Sequence, residues 1–160
     1  MAGKRLASKA GLHYNNQMTK DETVWRHIMD YFRLETEKDE RDALSNLGLA
    51  YLGDAVFELM IRSYLCMQGK LTPGKLHKAA LDYVSAPAQA AMVERILPLL
   101  TEEETEVFRR GRNTKPHSVP KAAKRGEYQT ATALEALFGW LYLQARTERL
   151  NELFAAMLSA

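Results

Sequence analysis

Residues 51–58 read Tyr51-Leu52-Gly53-Asp54-Ala55-Val56-Phe57-Glu58, and they decide the fold class. They lie inside a longer run, Ala43 to Met67, where Leu44, Leu47, Tyr51, Val56, Leu59 and Leu65 fall at helical spacing. The stretch is apolar around most of its circumference, as in a central helix packed on several sides. It nevertheless holds an acid and a glycine, and a mid-helix glycine costs about 1 kcal/mol relative to alanine. Residues 131–139, Ala131-Thr132-Ala133-Leu134-Glu135-Ala136-Leu137-Phe138-Gly139, repeat the combination. Close backbone approach at Gly53 and Gly139 is the expected compensation, so the two helices are expected to cross.

An ionised carboxylate in such surroundings costs several kcal/mol, roughly, unless it is paired or bound to a metal. Two readings of Asp54 and Glu135 follow. In one, the crossing helices share a hard cation, for which oxygen ligands suit Mg²⁺. In the other, each acid is salt-bridged in the core, and Arg62, eight residues after Asp54, is a candidate partner. Position alone leaves the two open. Glu58 shares a face with Asp54 and reads as a solvated acid, a further ligand or a hydrogen-bond partner.

The rest of the chain also reads as helical, with no strand signal and no internal repeat. Thr72-Pro73 looks like an N-cap followed by proline at the first helical position, opening a helix to about Val84. Another runs from Ser85-Ala86-Pro87 to about Leu99. Thr101 to Glu104 spells a capping box, and the helix it starts is expected to stop at Gly111. Arg112 to Gly126 lacks an apolar period and reads as a mobile loop, extending to about residue 127. Helices over Tyr128–Ala145 and from Thr147 to about Leu158 complete an all-α bundle. Residues 1–35 are expected to be an extension, partly disordered, with one helix from about Glu22 to Leu34; residues 36–160 form the folded domain.

Composition bounds the function. The chain has 160 residues, 46% hydrophobic and 26% charged, which suits one soluble domain. No apolar run reaches eighteen residues, and the charged N-terminus lacks the apolar region of a secretory signal. The single Cys66 excludes an internal disulfide framework and a cysteine-based zinc site, and suits a reducing compartment. The net charge of +2 hides an uneven distribution: residues 107–126 carry seven bases and no acid, and residues 1–20 four bases and no acid. Such concentrations attract a polyanion.

Together these motifs resemble a known family. Leu52-Gly53-Asp54-Ala55-Val56-Phe57 looks like the signature helix of ribonuclease III domains, and Leu134-Glu135-Ala136-Leu137-Phe138-Gly139 like that family's second acidic helix. Leu76-His77-Lys78, Val84-Ser85-Ala86, Gln89-Ala90 and Arg110-Gly111-Arg112-Asn113 match its mini-ribonuclease III subfamily, over about residues 40–158. The resemblance implies an all-helical homodimer that cleaves double-stranded RNA with Mg²⁺, leaving 5′-phosphate and 3′-hydroxyl ends. It implies a cytoplasmic enzyme that matures the ends of 23S ribosomal RNA precursor, with Asp54 and Glu135 as catalytic and metal-ligating residues. It also places Leu49, Leu52 and Phe57 as candidates for the dimer interface. Larger relatives carry two further acids where Ala50 and Thr132 stand here, so fewer charged ligands are expected to hold the metal.

A-form RNA is recognised largely through phosphates, 2′-hydroxyls and shape, so the basic loop is the expected duplex grip. Its residues are Arg109, Arg110, Arg112, Asn113, Lys115, Lys121, Lys124 and Arg125. His77, Lys78, Ser85 and Gln89 are further candidate RNA contacts; ordinary surface or capping roles are the plain alternative. A non-catalytic ribonuclease III-like RNA-binding protein is the competing function. A helical DNA-binding regulator is disfavoured because the bases fall mainly in a proline-containing loop rather than on one helix face.

Overall fold

The computed structural model describes residues 38–69, 72–114 and 124–159, which lie within the compact unit Glu35–Ala160. The expected helix at 22–34 and the arm before it lie outside the described residues, as do Lys115 and Lys121. Seven α-helices and one 3₁₀ turn are present, and no strand occurs among the described residues. They are α1 (Lys38–Asp42), α2 (Asn46–Met67), α3 (Pro73–Val84), α4 (Ala86–Val93), α5 (Glu102–Arg112), α6 (Arg125–Leu143) and α7 (Thr147–Leu158).

Helix starts follow local chemistry. Ser45 caps α2, its Oγ accepting the Gly48 N–H at 3.0 Å. Thr72 holds the extended N-cap conformation before α3, but its hydroxyl makes no capping bond, leaving Pro73 with its preset φ to open the helix. At α5 the capping box closes: Thr101 Oγ1 accepts the Glu104 N–H at 3.2 Å and Glu104 Oε2 accepts the Thr101 N–H at 2.9 Å. Glu127 accepts the Lys124 N–H at 3.0 Å, so α6 begins at Arg125, earlier than the apolar pattern indicated.

Two helix ends differ from the sequence reading. The helix expected to reach Leu99 stops at Val93 and gives way to the 3₁₀ turn Leu97–Leu99, because Pro98 lacks the N–H that an α-helix would need there. Helix α5 does not stop at Gly111 but runs through it to Arg112. Gly111 is buried against α6, where an added Cβ would lie 2.9 Å from Ala133 Cα and Ala136 Cβ. Its missing side chain serves packing, not chain reversal.

Helices α2 and α6 form the centre, with α4 and α5 packed on α6 and α3 packed on α2. Phe57, Ile61, Leu134, Leu137, Phe138, Leu141, Leu153 and Met157 are fully buried. Phe57 meets Phe138 edge-on, ring centroids 5.6 Å apart, and Phe154 at 6.1 Å. This corrects one expectation: Leu49 and Phe57 are buried within the single chain, so neither is free to face a second copy. Helix α2 instead leaves Tyr51, Ala55 and Leu59 open at four-residue spacing, with Tyr51 85% and Leu59 54% exposed.

Candidate active site

The two glycines bring the acids together. A Cβ on Gly53 would fall 1.7 Å from the Glu135 carbonyl oxygen, and one on Gly139 would fall 2.1 Å from the Leu49 carbonyl oxygen. At this crossing α2 and α6 touch backbone to backbone, which only residues without side chains permit. The residue after Gly53 is Asp54, and the residue whose backbone Gly53 touches is Glu135. The crossing thus places the two carboxylates close enough that the Asp54 charge raises the Glu135 pKa.

Among the described residues no lysine or arginine forms an ion pair with Asp54 or Glu135. Arg62 bonds Glu58 instead, through Nε at 3.1 Å and Nη2 at 2.5 Å. The contrast with Glu104 is instructive. That carboxylate is fully buried and held by Arg149, Nε to Oε1 at 2.9 Å and Nη2 to Oε2 at 2.8 Å. Although burial acts to raise it, those bonds and that charge hold the Glu104 pKa below its ordinary value. The fold therefore compensates the buried Glu104 with an arginine, and among the described residues supplies none to Asp54 or Glu135. Sequence reasoning read Glu104 only as a cap, since Arg149 lies 45 residues away.

Burial is the main cause pushing Glu135 up to about 7, with the Asp54 charge adding to it and the Gln89 side chain opposing. Asp54 is exposed in the single chain, not enclosed as its apolar helix implied, but neighbouring atoms shield its carboxyl in part. That shielding raises its pKa, and the Glu58 charge adds to the effect. Two carboxylates that repel each other and lack a base are a donor set fitted to a hard cation. No group of three or more histidine, cysteine, aspartate or glutamate side chains with metal-binding geometry occurs among the described residues.

The positions where larger relatives carry acids are both filled. Ala50 is buried in a small cluster with Leu49 and Ala136. Thr132 is buried, its carbonyl facing Gly111 under α5. Gln89, grouped with the RNA contacts from sequence, is only 1% exposed and so is not open to RNA; its side chain acts to lower the Glu135 pKa.

The remaining candidates among the described residues are on the surface. Arg109, Arg110, Arg112 and Asn113 are exposed along the last turn of α5, and Lys124 and Arg125 at the start of α6. Arg109 is engaged with Glu106 at 2.8 and 2.9 Å, while Asn46 Nδ2 donates to the Arg110 carbonyl at 3.3 Å and ties this end of α5 to the start of α2. His77 and Lys78 are exposed on α3, and Ser85 is exposed at the α3–α4 junction.

The acid pair carries a measurable signature in stability. Because folding raises the Glu135 pKa from 4.5 to about 7, the folded state holds a proton that the unfolded chain has released. Below about pH 4.5 the group is neutral in both states and contributes nothing; as pH rises toward 7 its ionisation disfavours the fold, by up to roughly 3 kcal/mol, and the loss then levels off. In chemical denaturation without divalent ions, wild-type stability relative to Glu135→Gln is expected to fall across that window. Millimolar Mg²⁺ is expected to reduce the fall. A flat difference would mean that the carboxylate ionises as freely folded as unfolded.

Residues 47–146 match the ribonuclease III domain. The mini-ribonuclease 3 of Symbiobacterium thermophilum is 49% identical over 113 residues, covering 71% of this chain and 87% of that protein. That of Enterococcus faecalis is 46% identical over 112 residues, covering 69% and 85%. A crystallographically solved protein of Fusobacterium nucleatum superposes with a TM-score of 0.64 at 34% identity, covering 69% of this chain and 84% of that one. The chain belongs to the ribonuclease III family, in its mini-ribonuclease III branch. It is an endoribonuclease of a family that acts on double-stranded RNA.

Proposed function

We propose that this chain hydrolyses phosphodiester bonds of double-stranded RNA with Mg²⁺ held by Asp54 and Glu135. The observation that carries the reading is the pair of carboxylates at the glycine crossing to which no described lysine or arginine is bonded, in a fold that supplies an arginine to the fully buried Glu104. When bound, such an ion acidifies water and neutralises charge on phosphate oxygens. The chain's own part is to hold the two carboxylates on rigid helices, one open to solvent at Asp54 and one set back at Glu135, so that a phosphate approaches from the Asp54 side. Asp54 sits where RNA can reach it, and Glu135, with its raised pKa, can hold or release a proton near neutral pH.

The exposed bases at the end of α5 and the start of α6, with Lys115 and Lys121 between them in sequence, are the proposed duplex grip. His77, Lys78 and Ser85 add contacts. The open stripe Tyr51, Ala55 and Leu59 beside Asp54 supports a homodimer through α2, which sets two sites across one duplex. Likeness to the mini-ribonucleases III supports 23S ribosomal RNA precursor as the substrate. The single, exposed and unbridged Cys66 supports a reducing cytoplasm, and no helix among the described residues is long and apolar enough to cross a membrane.

The test is a cleavage assay on duplex RNA, single-stranded RNA and duplex DNA, with Mg²⁺ and with EDTA. Cutting of duplex RNA alone, abolished by EDTA, is expected. Duplex binding without cutting would instead identify a non-catalytic RNA-binding domain.

A further inference from the structure

We propose that Gln89 is a positioning residue for the reaction: its carboxamide, reaching from α4, fixes the Glu135 carboxylate in the orientation that faces Asp54. This rests on the reading of Asp54 and Glu135 given above. Glutamine is seldom buried without partners, since its amide has two donors and two acceptor lone pairs to satisfy. Gln89 is 1% exposed, and its buried Nε2 completes no hydrogen bond of normal geometry. An orphaned buried amide group costs free energy in proportion to its desolvation, so a merely structural role would be better filled by an apolar side chain of the same volume. The surroundings indicate what the amide is for. Helix α4 packs on α6, and the charged neighbour of Gln89 there is Glu135.

The geometry has a chemical logic. Among the described residues Glu135 accepts from no arginine or lysine, and Asp54 repels it. A lone carboxylate on a helix is free to turn about its terminal torsion, which is broad and roughly two-fold. An N–H donor on one side selects one orientation, and an uncharged donor does so without neutralising the ligand, as an arginine would. Residues that orient metal-binding carboxylates in this way typically matter by about 10- to 100-fold in metal affinity or activity. The contrast with Glu104 bears on this. There the partner is a cation and the acid is locked; here it is an amide, and the charge remains available.

The test is Gln89→Met, which keeps the volume and removes every hydrogen-bonding atom; Gln89→Leu serves if the methionine variant does not fold. Mg²⁺ affinity is read by titration calorimetry on the full chain, and kcat and KM on duplex RNA. The expected result is about 10-fold or greater loss of kcat, KM for duplex RNA within twofold, and Mg²⁺ affinity several-fold weaker. Thermal stability without metal is expected to be unchanged or higher, because an orphaned polar group has been removed. Parental kcat and Mg²⁺ affinity in both folded variants would overturn the positioning role. So would loss of activity that simply follows loss of stability. Glu135→Gln is assayed beside them: full activity there overturns the site reading itself, whereas its inactivity beside a fully active Gln89→Met overturns only the positioning role.

Discussion

Asp54→Asn and Glu135→Gln are each expected to lower the rate of duplex-RNA cleavage by at least about a thousandfold, equivalent to roughly 4 kcal/mol of transition-state stabilisation. Each substitution nearly preserves shape and removes one of the two carboxylates proposed to hold the cation, so the charge that would hold a hard ion is reduced. Duplex binding is expected to survive within a few-fold, because the proposed grip on phosphate lies in the bases near 109–125 and not in the acids. The distinguishing feature is the accompanying stability. Glu135 is held against its preference to ionise, chiefly by burial and also by Asp54, so Glu135→Gln is expected to be no less stable than wild type at neutral pH. Single-turnover cleavage and denaturant melts on the same preparations check both halves. Cleavage at the parental rate would remove the substituted residue from the site. Inactivity that came with an unfolded protein would leave the chemical role to be shown by the other variant.

Gly53→Ala is expected to destabilise the fold by about 3 kcal/mol or more, a large share of the roughly 5–15 kcal/mol that holds a domain together. The opposing term is small: alanine gains about 1 kcal/mol over glycine in helix propensity. The added methyl would stand 1.7 Å from the Glu135 carbonyl oxygen and 2.6 Å from both the Glu135 carbonyl carbon and the Gly139 nitrogen. These are backbone atoms, which no rotamer change relieves, so α2 and α6 must separate and loosen the contacts around Phe57 and Phe138. Gly139→Ala, 2.1 Å from the Leu49 oxygen, is expected to be nearly as severe. Gly111→Ala, whose closest contacts are at 2.9 Å, is expected to be milder. Denaturant midpoints for the three establish the order. A Gly53→Ala protein as stable as its parent would mean that the helices do not meet at the backbone, and Asp54 and Glu135 would lose the contact that brings them together.

Much of this was legible in one dimension because it depends on local chemistry. The helices at 51–58 and 131–139 follow from apolar periodicity, the capping box at Thr101 from residue types three apart, and the close crossing from glycines where glycine is otherwise unfavourable. Helix ends were less legible. Gly111 has the identity of a terminator, but the neighbour that gives it a different role, Ala133 with Ala136, belongs to another helix. The interface expectation failed at Leu49 and Phe57 for a similar reason. On a helix apolar on nearly every side, composition does not say which side the chain covers for itself.

The sequence by itself determined that this is an all-helical domain with two acids in apolar helices, a concentrated basic segment, and motifs that resemble ribonuclease III. Those conclusions need only the identities of residues within a few turns of one another. The tertiary structure alone decided whether the acids were salt-bridged: Arg62 goes to Glu58, Arg149 goes to Glu104, and Asp54 and Glu135 are left facing each other. It also moved Gln89 from the surface to the side of Glu135. The physical reason is that a charge is compensated through space. Its partner is set by which helices pack together, and no spacing along the chain records it.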